Sequence, residues 1–149
     1  MKDMIIKLTS TSPGFDTLPL RLFAGITFSA HGSQKLFGWF NGYGLEGTAG
    51  WMSSIGLDPG LLMATLAGSA EFFGGLFLIM GLLTRPTALV LAVTMLVAIA
   101  SVHLEHGFFL SNNGYEYAMV LFAVSIGLLI RGAGSISLDQ FLSQNKSGV

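Results

Sequence analysis

The chain has no cysteine. That excludes disulfides, thiolate metal centres, thioether-linked haem and any thiol redox cycle run by the chain itself. Charge is scarce too: Asp, Glu, Lys and Arg make up 10% of 149 residues, where a soluble domain carries roughly 25%. The net charge is −1 and there is no basic run, so nucleic acid is not an expected partner. No Gly-rich phosphate loop and no Ser-His-Asp pattern stands in a context that would give it chemistry. Residues 1–16 carry Lys2 and Lys7, lack the apolar core and small-residue cleavage site of a signal peptide, and are interrupted by Pro13-Gly14. They read as an N-terminal cytoplasmic arm.

What the chain has in excess is apolar surface: 52% of residues are hydrophobic and the mean hydropathy is +0.69. Four apolar stretches stand out, at about residues 18–37, 61–83, 87–102 and 115–130. This pattern predicts an all-α membrane protein, an antiparallel bundle of four transmembrane helices over residues 17–142, with a disordered cytoplasmic tail over 143–149. Between the first two spans, Trp39, Tyr43 and Trp51 suit a membrane–water interface. Trp51, Met52 and Ile55 fit one face of a short helix lying on that surface. Asp58-Pro59 reads as a helix start, with Asp at the N-cap and Pro at the first helical position. Thr84-Arg85-Pro86 is a tight turn that forces antiparallel neighbours, and Gly132-Ala133-Gly134 ends the last span.

Four spans place both termini on one side. Lys2, Lys7, Arg21, Arg85, Arg131 and Lys146 fall on that side and Lys35 alone on the other, which predicts that both termini are cytoplasmic. Arg21, Arg85 and Arg131 then serve as topology anchors, with Arg21 snorkelling to the interface.

Polar residues inside apolar spans are costly, roughly 2.5–3.5 kcal/mol for a charge at a helix centre. At about 100° per residue, His31, Gln34 and Lys35 share one helix face. Glu71, His103 and Glu116 are the candidates to meet them; the rise per residue places Glu71 near the middle and His31, Lys35, His103 and Glu116 outward of it, so that the cluster converges on the outer half of a bundle. This is a ligand-binding or proton-exchange signature. Depth matching predicts Lys35 paired with Glu116, and Glu71 opposite His31. Ala64, Gly68, Glu71 and Gly75 recur at spacings of four, three and four, a small-residue stripe that marks a helix contact face. His31, Glu71, His103 and Glu116 are conceivable metal ligands, but no Glu-x-x-His pair supports a site and Lys35 would repel a cation, so no metal is expected.

Several segments in order resemble the DoxX family of small bacterial integral membrane proteins. They are Arg21-Leu22, His31-Gly32-Ser33-Gln34-Lys35-Leu36, Gly56-Leu57 and Glu71-Phe72-Phe73-Gly74-Gly75. They continue with Gly81-Leu82-Leu83-Thr84-Arg85-Pro86, the His103 and Gly107-Phe108-Phe109 region, Tyr115-Glu116-Tyr117-Ala118 and Gly132-Ala133-Gly134-Ser135-Ile136-Ser137-Leu138-Asp139. The resemblance implies a four-span membrane protein and, by analogy with family members linked to quinone-coupled sulfur oxidation, a quinone- or redox-associated subunit with a quinone as its cofactor. His31 and Lys35 would then bond a quinone oxygen while Glu71 and Glu116 handle protons. The alternative is a non-catalytic membrane scaffold or a small-amphiphile binding protein. The expected partners are the lipid bilayer and a redox protein complex; self-association stays open.

Overall fold

The computed structural model describes Thr11 and residues 14–144. The expected N-terminal arm therefore lies largely outside the described residues, as do Lys2, Lys7, Lys146 and the tail from 145. Among the described residues the chain is helical, with no strand. Helix α1 is Thr17–Phe37, α2 Gly44–Ser54, α3 Gly60–Met80, α4 Thr84–Ala98, α5 Glu116–Arg131 and α6 Leu138–Gln144. Helix α4 runs on through a π turn, Ile99–His103, and a 3-10 turn, Leu104–His106.

Two helical runs are long and apolar enough to cross a membrane: Gly60–Met80, with mean hydropathy 1.6, and Thr84–His106, with 2.2. Only 28% of the apolar window of each is buried inside the molecule. A soluble core helix would be covered on most sides, whereas these turn large apolar side chains outward. Leu62, Leu66, Phe73, Val90 and Val93 are all at least half exposed, a surface suited to hydrocarbon rather than water.

Helix α1 packs along α3, α5 along α4, and α3 joins the two pairs. The small-residue stripe is the α1–α3 seam: Ala64, Gly68, Glu71 and Gly75 are all buried. The backbones come so close that a Cβ on Gly32 would run into the Phe72 amide nitrogen and lie 2.8 Å from the Gly68 carbonyl oxygen. Behind the seam, Phe28, Leu78, Leu91 and Leu128 form the apolar core.

Sequence and structure part at several boundaries. The expected Thr84-Arg85-Pro86 turn is the first turn of α4, and the chain reverses over residues 81–83 instead, where Gly81 and Leu83 take left-handed backbone. Helix α3 starts at Gly60, leaving Pro59 at the N-cap with extended backbone. The ψ of 123° at Pro59 keeps that residue out of the helix, and the α2–α3 corner is tight: a Cβ on Gly60 would collide with the Ala49 carbonyl and the Ser53 side chain. The surface helix begins at Gly44 and buries Thr48 and Met52, leaving Trp51 partly out. Residues 143 and 144, expected in the tail, belong to α6.

The end of the bundle nearest the described termini is tied by Arg21. Snorkelling is not what it does: the side chain is fully buried. Its guanidinium donates to the Leu78 carbonyl at 3.0 Å and to the Ile136 carbonyl at 2.5 Å. It thus closes the C-terminus of α3, where free carbonyls and the helix dipole favour a cation. Asp139 completes the tie. Its two carboxylate oxygens accept the Leu83 and Thr84 amides at 2.7 and 2.9 Å, capping the first turn of α4, and its own amide donates to the Gly81 carbonyl at 2.9 Å. Gly81 has φ +65°, and a Cβ there would strike the Arg21 guanidinium, so glycine is needed on both counts. Burial pushes the Asp139 carboxyl above the usual carboxylate range, while the Leu83 and Thr84 bonds and the Arg21 charge pull it back. Thr17 donates to the Ala133 carbonyl, Arg85 to the Leu129 carbonyl, and Arg131 pairs with Asp16 at 2.9 Å. Arg21, Arg85 and Arg131 thus sit at one end of the bundle, and each is engaged in holding that end together.

Candidate functional site

At the opposite end, α1 stops at Gly38 and the chain turns back through Trp39–Asn41. Phe40 and Asn41 both take left-handed backbone, φ 53° and 61°, at a cost of roughly 1–2 kcal/mol per residue. Gly42 then presses against Gln34, whose side-chain amide donates to the Phe40 carbonyl at 3.2 Å. The turn folds α2 over the end of α1, where Thr48 donates to the Lys35 carbonyl at 3.3 Å. The result is a groove of about 230 Å³ walled by Gln34, Lys35, Asn41, Tyr43, Thr48 and Trp51.

Lys35 links this groove to the interior. Its ammonium lies 2.5 Å from Glu71 Oε2, the lysine side chain 25% exposed and the glutamate 5%. Glu71 comes from the seam face of α3, so the small residues that let the helices approach also put the carboxylate within reach of α1. His31 lies within electrostatic reach of both Lys35 and Glu71 and beside Gln34. On its other side the imidazole meets the Tyr117 ring, with centroids 6.2 Å apart.

The structure therefore brings together His31, Gln34, Lys35 and Glu71, and leaves His103 and Glu116 apart from them. The expected Lys35–Glu116 pair is not formed. Glu116 Oε1 accepts the Leu110 amide at 2.6 Å, and His103 Nδ1 bonds the Asn113 carbonyl at 2.7 Å. Both pin the loop between α4 and α5. Depth alone suggested the wrong acid because α1 packs chiefly on α3 and touches α5 only lightly. No three His, Asp or Glu side chains converge on a metal-sized site among the described residues. Asn41 and Thr48 were not foreseen as groove residues: nothing in a Gly-rich connection reveals which way it folds back. Tyr43 and Trp51, expected as interface aromatics, are also walls of the groove.

A second hollow, about 280 Å³ and almost wholly apolar, is lined by Phe108, Leu110, Glu116, Tyr117, Met119 and Val120. Phe37 and Trp39 each meet Phe72 edge to face and lie tilted against one another, with centroids 5.1 to 6.4 Å apart. Such aromatic clusters suit the headgroup level of a bilayer.

Comparison with known proteins gives a consistent family. The DoxX profile matches residues 17–104. A Bacillus subtilis (strain 168) protein named "Putative oxidoreductase CatD" is 35% identical over 130 residues, 87% of this chain and 89% of that protein. An uncharacterized Haemophilus influenzae protein is 30% identical over 146 residues, 97% of this chain and 93% of its own. A second from that organism is 33% identical over 123 residues, 80% of this chain and 85% of its own. No solved structure matches the chain. The matched segment takes in α1 to α4 and every residue of the His31, Gln34, Lys35 and Glu71 cluster, and the chain belongs to the DoxX family.

Proposed function

We propose that the chain is a four-span inner-membrane subunit of a quinone-linked redox system, with both termini cytoplasmic and the Lys35 groove opening in the outer half of the bilayer. Helices α1 and α5 are the two further spans. Helix α1 crosses with Arg21 and Lys35 near its ends, both engaged, and α5 is short, its 16 residues reaching about 24 Å. The observation that carries the reading is the Lys35–Glu71 pair. A charge pair inside apolar helices is retained at a cost in desolvation, and here it sits against a groove with aromatic walls and several hydrogen-bonding groups. In that groove Lys35 and Gln34 offer donors to a ring carbonyl, and Trp51 and Tyr43 offer faces to the ring. The name of the Bacillus subtilis relative points to oxidoreductase chemistry. The chain's own residues supply binding and proton handling; electrons come from a partner or from the bound molecule.

Purified in mild detergent from a quinone-containing membrane, the protein should yield quinone on solvent extraction, and Lys35→Met should yield much less. Equal yields from both would remove the groove from the quinone reading. The apolar hollow at Tyr117 supports a second reading, a binding protein for a small amphiphile. That reading gains if quinone retention follows Val120→Trp and not Lys35→Met.

A further inference from the structure

Lys35 stands between two alternatives. Behind it lies the Glu71 carboxylate, nearly sealed from the surface; in front lies the groove that the same side chain helps to wall. An oxyanion entering the groove competes with Glu71 for one ammonium. A buried carboxylate that loses its cation is strongly disfavoured, and the penalty is relieved when it takes a proton. We propose that Lys35 is exchanged between Glu71 and an ionised ring hydroxyl of the ligand, and that Glu71 takes up a proton as the exchange occurs. This rests on the quinone-site reading and assigns its ligand class: an aromatic ring with an acidic hydroxyl, a hydroquinone or hydroxyquinone.

The step balances. With an anion, the Lys35–Glu71 pair plus ligand oxyanion plus one proton gives the Lys35–oxyanion pair and a neutral Glu71 carboxyl. With a neutral hydroquinone, the O–H bond breaks and its proton passes to Glu71, so nothing is taken from solvent. In both cases the site stays electrically neutral, as a low-dielectric setting demands. The hydroquinone is left as its oxyanion, the form that gives up electrons more readily to a partner. The geometry singles out Glu71 as proton acceptor. From α1 it faces Lys35 and His31; α2 has Glu46 as its one acidic or basic side chain, exposed in its first turn; α4 has Arg85 alone, at the far end of the bundle, and its continuation carries His103, bonded to the Asn113 carbonyl, and exposed Glu105 and His106; α5 brings the Tyr117 ring against His31.

The test uses the full chain in detergent and two probes with the same ring system. Lawsone, 2-hydroxy-1,4-naphthoquinone, is an anion at neutral pH; menadione carries a methyl group in place of the hydroxyl. Titration calorimetry in buffers of different ionisation enthalpy reads the protons taken up on binding. Lawsone should bind about tenfold tighter than menadione, with uptake of about one proton that menadione does not cause. In Glu71→Gln, lawsone should still bind, more tightly, with the uptake gone. Lawsone binding to the unmodified chain without uptake overturns the exchange and leaves the quinone site standing. Uptake persisting in Glu71→Gln assigns the proton to His31 and overturns the role of Glu71. Failure of both probes to bind defeats the quinone-site reading itself. Displacement of lawsone by inorganic phosphate would make the site one for phosphate oxyanions and overturn the ring-hydroxyl assignment.

Discussion

Lys35 and Glu71 are partners but not equals. The lysine side chain is 25% exposed and the glutamate 5%. Removing the lysine strands a buried carboxylate, at a cost of about 3–5 kcal/mol. Removing the acid leaves a lysine whose flexible stem can carry its head into the groove. Lys35→Met should therefore lower the melting temperature in detergent more than Glu71→Gln does, and the double substitution Lys35→Met, Glu71→Met should recover part of the loss. Equal single losses would contradict the asymmetry. Glu116→Gln, by contrast, should add to Lys35→Met without coupling, since the two share no partner. Asp139 allows a prediction about pH. Its carboxyl is raised by burial, so between the ordinary carboxylate value and the raised one the folded chain holds more proton than the unfolded chain. Its contribution is present at low pH and lost as pH climbs through the raised value. Asp139→Asn should flatten that slope. It should also cost about 1–3 kcal/mol at the α3–α4 corner, because an amide cannot accept both the Leu83 and Thr84 N–H groups. A denaturant series across acidic pH reads both effects. At this scale the sequence was partly legible. It identified His31, Gln34, Lys35 and Glu71 as expensive residues needing partners. It could not match acid to base, because the rise per residue orders depth and says nothing about which helices are neighbours.

At the scale of the element, the spacing of small residues on α3 was readable because a helix has one period and glycine leaves a gap wherever it recurs. What it could not reveal is how little room the gap leaves. A Cβ on Gly32 of α1 meets the backbone of Phe72, with the Phe72 Cα at 2.7 Å, and backbone cannot rotate aside as a side chain can. Gly32→Ala should destabilise by about 1–3 kcal/mol, the usual cost of overpacking. Gly127→Ala on α5 is the contrast, since no atom lies within 4 Å of the added carbon. It should be neutral or stabilise by up to about 1 kcal/mol, from the helix preference of alanine over glycine. Thermal melts of the two variants in the same detergent give the comparison, and equal losses would show that the α1–α3 approach is looser than described. The fold-back of residues 38–44 belongs to the same scale and was illegible. Asn41 tolerates left-handed backbone, but Phe40 before it takes a positive φ against its local preference, where α2 packs down on the end of α1.

For the whole molecule, orientation is the first prediction. A chain without cysteine accepts reporter cysteines freely. Ser54→Cys at the end of α2 should be labelled by an impermeant thiol reagent in intact cells, and Ser143→Cys in α6 should not. The reverse pattern would invert the topology that the Lys and Arg distribution implies. The Arg21–Asp139 tie bears on how such a chain is made. Helices α1, α3 and α4 emerge from the ribosome before residues 133–139, yet Ile136 receives the Arg21 guanidinium and Asp139 caps α4. Until those last residues arrive, the Arg21 guanidinium has its Leu78 acceptor but lacks Ile136, and the Leu83 and Thr84 amides lack the Asp139 carboxylate, among helices already in contact with lipid. Synthesis is thus divided into an open phase, in which the helices can still rearrange, and a closed one that begins when the final helix is delivered. A chain broken off after Arg131 never leaves the first.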